Sequence, residues 1–256
     1  MIHPTLKQKF NSRAVSIGSW VTLNDESIPE IMASAGFEWL VIDLEHSAIG
    51  IRNAARLIRV IDLLGISPLV RVTSNDPHQI KRVMDAGAHG IIVPMINSAQ
   101  DAREAVSAVR YPPQGGRGVG LARAQGFGTS FKKYRDSIHQ CAVVIVQIEH
   151  VDAIANLEAI LDVDGVDGTI IGPYDLSGSV GKPGEFEDPE VRALLSRYED
   201  VCKRKNKPLG FHVVETDSAL IKSKLKAGYS ILAFGTDFLF LGNACRNQMK
   251  ELRTQK

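Results

Sequence analysis

Residues 68–94, PLVRVTSNDPHQIKRVMDAGAHGIIVP, contain two short apolar runs on either side of a segment with helix signals at both ends. The helix is predicted to begin at Asp76, a capping residue followed by proline, and to end at Gly87. The runs Pro68–Val72 and Gly90–Pro94 do not alternate with polar residues, which is typical of parallel strands buried on both faces. The stretch therefore predicts a strand–helix–strand unit with a right-handed connection.

The same alternation extends along the whole chain. Further helix starts are indicated by Ser98, Asp188 and the pair Thr216-Asp217. Eight apolar runs are predicted to be strands: Ala14–Trp20, Trp39–Leu44, Pro68–Val72, Gly90–Pro94, Ala142–Ile148, Asp167–Gly172, Leu209–Val213 and Ser230–Phe234. Eight strand–helix units in about 250 residues is the usual size of a (β/α)8 barrel.

A doubly wound open sheet is the competing architecture. It would be expected to have a glycine-rich dinucleotide-binding turn after an early strand, and residues 21–27, VTLNDES, lack glycine. The chain has no internal repeat, low-complexity tract or interdomain linker. We therefore predict an α/β protein with one domain over residues 1–256, a (β/α)8 TIM barrel.

Two long interruptions, Tyr111–Gln140 and Tyr174–Asp188, do not fit a minimal barrel. Loops of this length in a compact domain are usually functional. The glycine-rich stretch Gly115–Gly120 matches neither a P-loop nor the dinucleotide fingerprint. We interpret it as a flexible active-site loop, with Arg117 or Arg123 facing an anionic ligand.

Composition excludes several classes of partner. The 256 residues include 30 Lys plus Arg and 29 Asp plus Glu, a net charge of +1, which predicts no strong field for nucleic acid or an anionic membrane. The amino terminus lacks the apolar stretch of a signal peptide, and other apolar runs are too short to span a bilayer. Three widely separated cysteines indicate the reducing cytosol. We expect a cytoplasmic protein that binds small molecules.

Polar residues stand where the predicted strands end, which is the end at which barrel enzymes have their active sites. They come from at least four strands: Asp43-Leu44-Glu45-His46, Arg71, Gln147-Ile148-Glu149-His150, Gly172-Pro173-Tyr174-Asp175 and His212. Arg71 lies inside an apolar run and needs an anionic partner, because an unpaired charge there is costly. That partner is either a protein carboxylate or a ligand.

Glu149 and Asp175 are candidates for a metal pair. Two carboxylates with few other protein ligands suit Mg²⁺ or Mn²⁺, which retain waters and accept substrate oxygens. The alternative for each is a helix-capping role. His46 near Asp43 is a candidate for a carboxylate-oriented base, and the alternative is a structural histidine.

Lysine is informative by its absence. A Schiff-base aldolase needs a desolvated amine on a strand, and none of the eight runs contains lysine. An aldolase with this sequence should therefore use a metal as the electron sink. The seven histidines do not have the spacing of a zinc site.

Six segments together resemble the HpcH/HpaI aldolases, which are metal-dependent (class II) pyruvate aldolases. The similarity extends from about Gly18 to about Leu241, and the order of the motifs is more specific than any one of them. The segments are FEWLVIDLEHSAIG, PLVRV, AGAHGIIVPMINSAQDAREAV, YPPQGGRGVG, VIVQIEH and DGTIIGPYDLSGSVG.

The resemblance implies a role for each matching residue. Glu149 and Asp175 match the carboxylates that bind the divalent cation, Mg²⁺ or Mn²⁺ with Co²⁺ as a further candidate. Gln147 and Arg71 match residues that contact the 2-oxo acid and its enolate. His46, supported by Asp43, matches the acid/base dyad.

The places of five residues and the assembly are implied in the same way. Gly172 and the backbone at Tyr174 and Asp175 match the place that receives the substrate carboxylate, and Trp20 matches an aromatic residue at the mouth of the site. Asp85 matches an acidic residue that approaches a neighbouring subunit's site. The resemblance also implies a homohexamer whose last helix, within 236–250, is exchanged between subunits.

Tyr174 is a departure from the family, whose members commonly have a small residue, often alanine, at this position. A tyrosine there would either narrow the pocket or add a hydroxyl donor. The segment FHVVETDSALIKSKL is also a loose match, which leaves the aldehyde specificity open.

The residues and the resemblance together predict a metal-dependent aldolase. It would reversibly cleave a 4-hydroxy-2-oxo acid to pyruvate and an aldehyde through a metal-stabilised enolate. One alternative is an enolate-condensing synthase or lyase of the same fold that acts on another 2-oxo acid or a thioester. A second alternative is a non-catalytic binding barrel.

Overall fold

A closed barrel of eight parallel strands, paired in chain order, forms the centre of the protein. The structure is a computed structural model that describes residues 5–254. The strands are β1 Ser16–Val21, β2 Trp39–Asp43, β3 Ser67–Arg71, β4 Gly90–Val93, β5 Val143–Ile148, β6 Gly168–Ile171, β7 Gly210–Val213 and β8 Ile231–Thr236. Because every neighbouring pair is parallel, all eight carboxyl ends lie on one rim. The predicted (β/α)8 barrel is confirmed.

Within residues 5–254, helices connect consecutive strands on the outside of the barrel, one further helix precedes β1 and one follows β8. They are α1 Thr5–Asn11, α2 Ser27–Ala33, α3 Ile51–Leu63, α4 Pro77–Ala86, α5 Ala99–Val109, α6 Phe131–Cys141, α7 Val151–Ala155, α8 Leu157–Leu161, α9 Pro173–Ser179, α10 Pro189–Arg204, α11 Ser218–Lys226 and α12 Asp237–Thr254. The predicted caps are present: Asp76 accepts from two backbone amides of α4, Ser98 forms a capping box with Asp101, and Gly87 ends α4 at φ 105°. No helix within residues 5–254 is both long and apolar enough to cross a membrane.

The two long interruptions contain helices and are therefore not continuous loops. Residues 111–140 include a 3₁₀ turn at Arg123–Gln125 and most of α6, and α9 takes up the first part of 174–188. In α6 the buried residues Tyr134, Ile138 and Cys141 lie four and three positions apart. This is helical spacing within an otherwise polar segment, so burial of one narrow face stabilises the helix.

The barrel interior is apolar at the amino ends of the strands. Trp39, Val41, Leu69 and Ile145 are buried there in one cluster, which Phe10 of α1 joins from below. α1 thus closes the amino end and leaves the carboxyl rim as the accessible end.

Side chains of a strand alternate between the interior and the exterior of the barrel. Every second residue therefore points inward, from the apolar layer up to the rim. On β2, for example, Trp39 and Val41 are followed by Asp43. On five strands the inward position nearest the rim is polar or aromatic: Trp20, Asp43, Arg71, Gln147 and His212. The fold therefore places a polar layer directly above the apolar core.

Candidate active site

Arg71 and Asp43 form a two-point ion pair across neighbouring strands. They are register partners of β2 and β3, and Arg71 donates from Nε to Asp43 Oδ1 at 2.9 Å and from Nη2 to Oδ2 at 2.6 Å. Both side chains are largely buried, with 12% and 3% exposed. The guanidinium also lies over the Trp20 ring, 4.3 Å from its centroid. A protein carboxylate is thus one partner of Arg71.

Glu45 is the second carboxylate beside this guanidinium. Its Oε2 lies 3.3 Å from Arg71 Nη1, and it occupies the next position on the inward side of the chain after Asp43. Burial raises the pKa of Glu45 to about 7; Arg71 opposes this shift, and the charges of Glu149, Asp43 and Asp175 add to it. Four carboxylates and one guanidinium therefore share the rim, which leaves an excess of negative charge.

Glu149 is held by two hydrogen bonds. Its Oε1 accepts from the backbone N–H of Met95 at 2.6 Å, and its Oε2 accepts from Gln147 Nε2. Burial raises the pKa of Glu149, the two hydrogen bonds lower it, and the charge of Asp175 raises it again. A Cβ added to Gly172 would lie 3.0 Å from Glu149 Oε2. Glycine at this position therefore allows the backbone after β6 to approach the carboxylate closely.

The donor set at this rim fits a hard divalent cation. Asp175 lies in the first turn of α9, near enough for its charge to act on Glu149. Gln147 Oε1 is buried with no hydrogen-bond partner in the described part of the chain. Oxygen donors in a region of excess negative charge suit Mg²⁺ or Mn²⁺, which retain several waters. Across residues 5–254 no group of three or more His, Cys, Asp or Glu side chains is arranged to hold a metal.

The structure does not bring the imidazole of His46 onto Asp43. The side chain of His46 is 67% exposed, and its Nε2 lies 3.8 Å from Glu45 Oε2. Asp43 instead accepts from Arg71 and from the backbone amides of Glu45 and His46. Because Arg71 occupies both Asp43 oxygens, the expected pairing of Asp43 with the imidazole is replaced by an ion pair.

Arg117 and Arg123, one of which was expected to face an anionic ligand, are both paired with carboxylates of the protein. Arg117 is fully buried, donates to Asp85 at 2.5 Å and to Tyr134 at 3.0 Å, and Arg123 donates to Asp62 at 2.5 Å. α4 runs from the rim towards the amino ends of the strands, so Asp85 near its end is remote from Glu149. Both guanidinium groups therefore have a carboxylate of this chain as their partner, and the structure gives no support to the expectation that one of them faces an anionic ligand.

Tyr174 lies beside the site but packs on the segment that follows α9. Its side chain is exposed, and its ring contacts Phe186 edge to face with centroids 4.9 Å apart. The Tyr174 ring is thereby held against Phe186. The residue that lies next to Glu149 is Gly172.

Sequence comparison connects this geometry to a known group of enzymes. A sequence model of HpcH/HpaI aldolase/citrate lyase matches residues 16–244, which is most of the chain. The chain belongs to the HpcH/HpaI aldolase/citrate lyase family. It is an aldolase, a carbon–carbon lyase. Within residues 5–254, none of its strands contains a lysine.

Named relatives support this assignment over nearly the whole length. The hydroxypyruvate/pyruvate aldolase of Cupriavidus necator is 36% identical over 97% of this chain and 92% of its own. The 4-hydroxy-2-oxo-heptane-1,7-dioate aldolase of Salmonella dublin is 39% identical over 88% of this chain and 85% of its own.

Solved structures agree on the fold. A family protein from Burkholderia cenocepacia superimposes with a TM-score of 0.92 at 32% identity, covering 98% of this chain and 100% of that one. The citrate synthase SbnG, at 28% identity, superimposes with a TM-score of 0.83 and covers 99% and 98% of the two chains.

Two residues of this aldolase's rim had no role in the sequence interpretation. Glu45 was part of a quoted strand end, and its two-residue spacing from Asp43 is the signal that places it on the same side. His212 was recognised only as the end of a strand. Its ring contacts Trp20, with centroids 5.2 Å apart, and its Nε2 lies 3.2 Å from the Gly235 carbonyl oxygen.

The elevated pKa of Glu45 predicts a pH dependence of stability in the metal-free protein. A carboxyl whose pKa is about 7 in the folded state and ordinary in the unfolded state binds its proton more tightly when folded. Its contribution to stability is fully present below the ordinary glutamate pKa and is lost as the pH rises towards 7. We expect the melting temperature of EDTA-treated protein to fall across this window by a few degrees.

Thermal melts of wild type and Glu45→Gln from pH 4.5 to 8 test this expectation. The glutamine variant should show a flatter profile, because it has no proton to lose at this position. Parallel profiles for the two proteins would contradict the assignment of the pH effect to Glu45.

Proposed function

We propose that this aldolase reversibly cleaves a 4-hydroxy-2-oxo acid to pyruvate and an aldehyde with the help of a divalent cation. The observation that supports this most directly is the meeting of Arg71, Gln147, Glu149 and Asp175 at one rim where negative charge is in excess. The names of the relatives, two of which are aldolases of 2-oxo acids, point the same way.

Glu149 and Asp175 are the residues that we propose to hold the cation, Mg²⁺ or Mn²⁺ with Co²⁺ as a further candidate. When bound there, a divalent cation would supply a Lewis acid for the carbonyl of the 2-oxo acid. Met95 and Gln147 fix both oxygens of Glu149 in advance. The carboxylate therefore needs little reorganisation to act as a ligand.

We place the 2-oxo acid beside Gly172, where the backbone approaches Glu149 and Gln147 without a side chain of its own. Its carboxylate would be received by the backbone at Tyr174 and Asp175. Arg71 would donate towards the oxygen on which negative charge develops, a contribution often worth about 3–4 kcal/mol for one well-placed donor. Asp43 acts through Arg71 in this arrangement, because it holds the guanidinium at two points.

His46 is the proposed acceptor of the proton from the hydroxyl beyond the breaking bond. Its exposed ring can reach a substrate at the rim, and the nearest carboxylate to it is Glu45. A neighbouring carboxylate with a pKa of about 7 is suited to passing a proton onward near neutral pH.

We infer a cytoplasmic homohexamer in which α12 packs on a neighbouring subunit and Asp85 approaches a neighbour's site. Support comes from exposed apolar side chains of α12, which include Phe238, Leu241 and Leu252. A monomer mass measured by light scattering would contradict this assembly.

An acceptor screen tests the proposed reaction against the synthase alternative. Purified protein is incubated with pyruvate and a panel of aldehydes, and in parallel with oxaloacetate or an acyl-CoA, before and after EDTA treatment. We expect pyruvate–aldehyde adducts that disappear with EDTA and return with Mg²⁺ or Mn²⁺. Products from oxaloacetate or acyl-CoA alone would support the synthase and contradict the proposal.

A further inference from the structure

One side of the rim has no part in the proposed handling of pyruvate. The residues assigned to the cation and the 2-oxo acid lie on β3, at the end of β5 and between the end of β6 and the first turn of α9. On strands β7, β8 and β1, His212 and Trp20 contact each other, and the carbonyl of Gly235 faces the His212 ring. A substrate that has its 2-oxo acid beside Glu149 would extend its other end towards this wall.

The ring of His212 points into the barrel and has a fixed orientation. The preceding residue, Phe211, packs outside against Lys224 and Tyr229, so alternation along β7 turns His212 inward. Its ring lies against Trp20 at an interplanar angle of 42°. Its Nε2 lies 3.2 Å from the carbonyl oxygen of Gly235.

The backbone conformation of Gly235, which favours glycine, directs its carbonyl towards the ring of His212. Gly235 has φ 62°, and a Cβ at this position would lie 2.6 Å from the ring of Phe240. The pairing of β1 with β8 shifts register in the same region, between Gly18 and Trp20. Irregularities of this kind are a common means of redirecting groups next to active sites.

The hydrogen bond to Gly235 decides which nitrogen of His212 is available to a ligand. A carbonyl oxygen only accepts, so Nε2 carries the hydrogen and Nδ1 presents a lone pair. Within residues 5–254, Nδ1 has no hydrogen-bond partner. The pKa of His212 is lowered to about 4, mainly by burial and in part by the charge of Arg71, while the hydrogen bond to Gly235 and the charge of Asp43 oppose the shift. The ring is therefore neutral at physiological pH.

A neutral acceptor beside an aromatic ring selects a particular kind of ligand. It favours a hydrogen-bond donor such as a hydroxyl, and it offers no charge to a carboxylate or a phosphate. We propose that His212 determines aldehyde specificity: its Nδ1 accepts a hydrogen bond from a hydroxyl of the aldehyde, so that hydroxyaldehydes are preferred to alkyl aldehydes of the same size. This inference rests on the proposed aldolase reaction.

The test compares two aldehydes of matched size in each variant. Glycolaldehyde has a hydroxyl where propionaldehyde has a methyl group, and kcat/KM for addition to pyruvate is measured for both at saturating Mg²⁺. In His212→Leu the ratio of the two values should fall about tenfold relative to wild type, the upper range for one hydrogen bond to a neutral group. His212→Asn, whose amide oxygen is an acceptor, should retain most of the preference.

His139→Leu is the matched control, since His139 lies in the last turn of α6, at the opposite end of the barrel. Its ratio should equal that of wild type. Because the ratio is taken within one variant, a general loss of folded protein or of pyruvate binding cancels.

Three outcomes separate this inference from the proposed function. An unchanged ratio in His212→Leu would overturn the inference, and so would an equal loss in the leucine and asparagine variants, since the shape of the ring would then explain it. Failure of wild type to form an adduct of pyruvate with any aldehyde would instead overturn the proposed function.

Discussion

Glu149→Gln is expected to lower the rate of aldol cleavage by about 10³-fold or more. Glutamine has nearly the same shape but no charge, so the cation would lose one of its two proposed carboxylate ligands. Lewis-acid assistance is worth several kcal/mol, and about 4 kcal/mol corresponds to this factor. The measurement is kcat/KM for cleavage together with Mn²⁺ affinity by titration calorimetry.

The fold should tolerate this change. Burial raises the pKa of Glu149, which means that its charge costs stability in the metal-free protein. Removal of that charge should leave the melting temperature equal or higher, so lost activity cannot be ascribed to unfolding. Glu158→Gln, in which an exposed carboxylate of α8 loses its surface partner Arg204, is the matched control. An unchanged Mn²⁺ affinity in Glu149→Gln would contradict the proposal that Glu149 binds the cation.

Arg71→Lys is expected to lower kcat/KM by about 10²–10³-fold and also to destabilise the protein. Lysine retains the charge but cannot bind Asp43 at two points or stack on Trp20 in the same way. The buried Asp43 carboxylate would lose part of its pairing, which we expect to cost about 1–3 kcal/mol. Urea denaturation and steady-state kinetics measure the two effects.

A double-mutant cycle with Asp43→Asn separates the structural role from the catalytic one. If Asp43 acts through Arg71, the two substitutions should be strongly non-additive in both stability and kcat/KM. The surface pair formed by Arg110 and Asp164 provides the control cycle, for which little coupling is expected because Asp164 is exposed. Additive effects for the Arg71–Asp43 pair would contradict the positioning role of Asp43.

Local signals explain why the barrel could be predicted from the sequence. Strands that are buried on both faces, such as Ser67–Arg71, contain apolar residues that do not alternate with polar ones. The predicted run Pro68–Val72 differs from this strand by one residue at each end. The caps at Asp76, Ser98 and Gly87 act within a few residues of themselves. Structure that depends on near neighbours in the chain is readable from the chain alone.

Contacts between distant segments explain what the sequence did not reveal. From the sequence, the partner of Arg71 was either a protein carboxylate or a ligand. The register of β2 and β3 places Asp43 directly beside it. Arg117 is buried because Asp85 and Tyr134, from α4 and α6, receive it. The choice of ion pair depends on packing geometry, which no local pattern encodes.

The candidate site divides in the same way. The strand-end positions of Gln147 and Glu149 follow from their place after an apolar run, and the spacing of two residues would also have indicated Glu45. The orientation of His212 depends on the Gly235 carbonyl, which belongs to another strand. The set of rim residues was thus largely predictable, but their hydrogen-bond partners were not.

Exchange of the methyl protons of pyruvate with D₂O, followed by proton NMR, tests the central claim most directly because it needs no aldehyde. Our account predicts exchange by wild type in the presence of Mg²⁺, its loss after EDTA treatment, and little exchange by Glu149→Gln. Undiminished exchange by metal-free wild type, or by Glu149→Gln, would contradict the assignment of a divalent cation to Glu149 and Asp175.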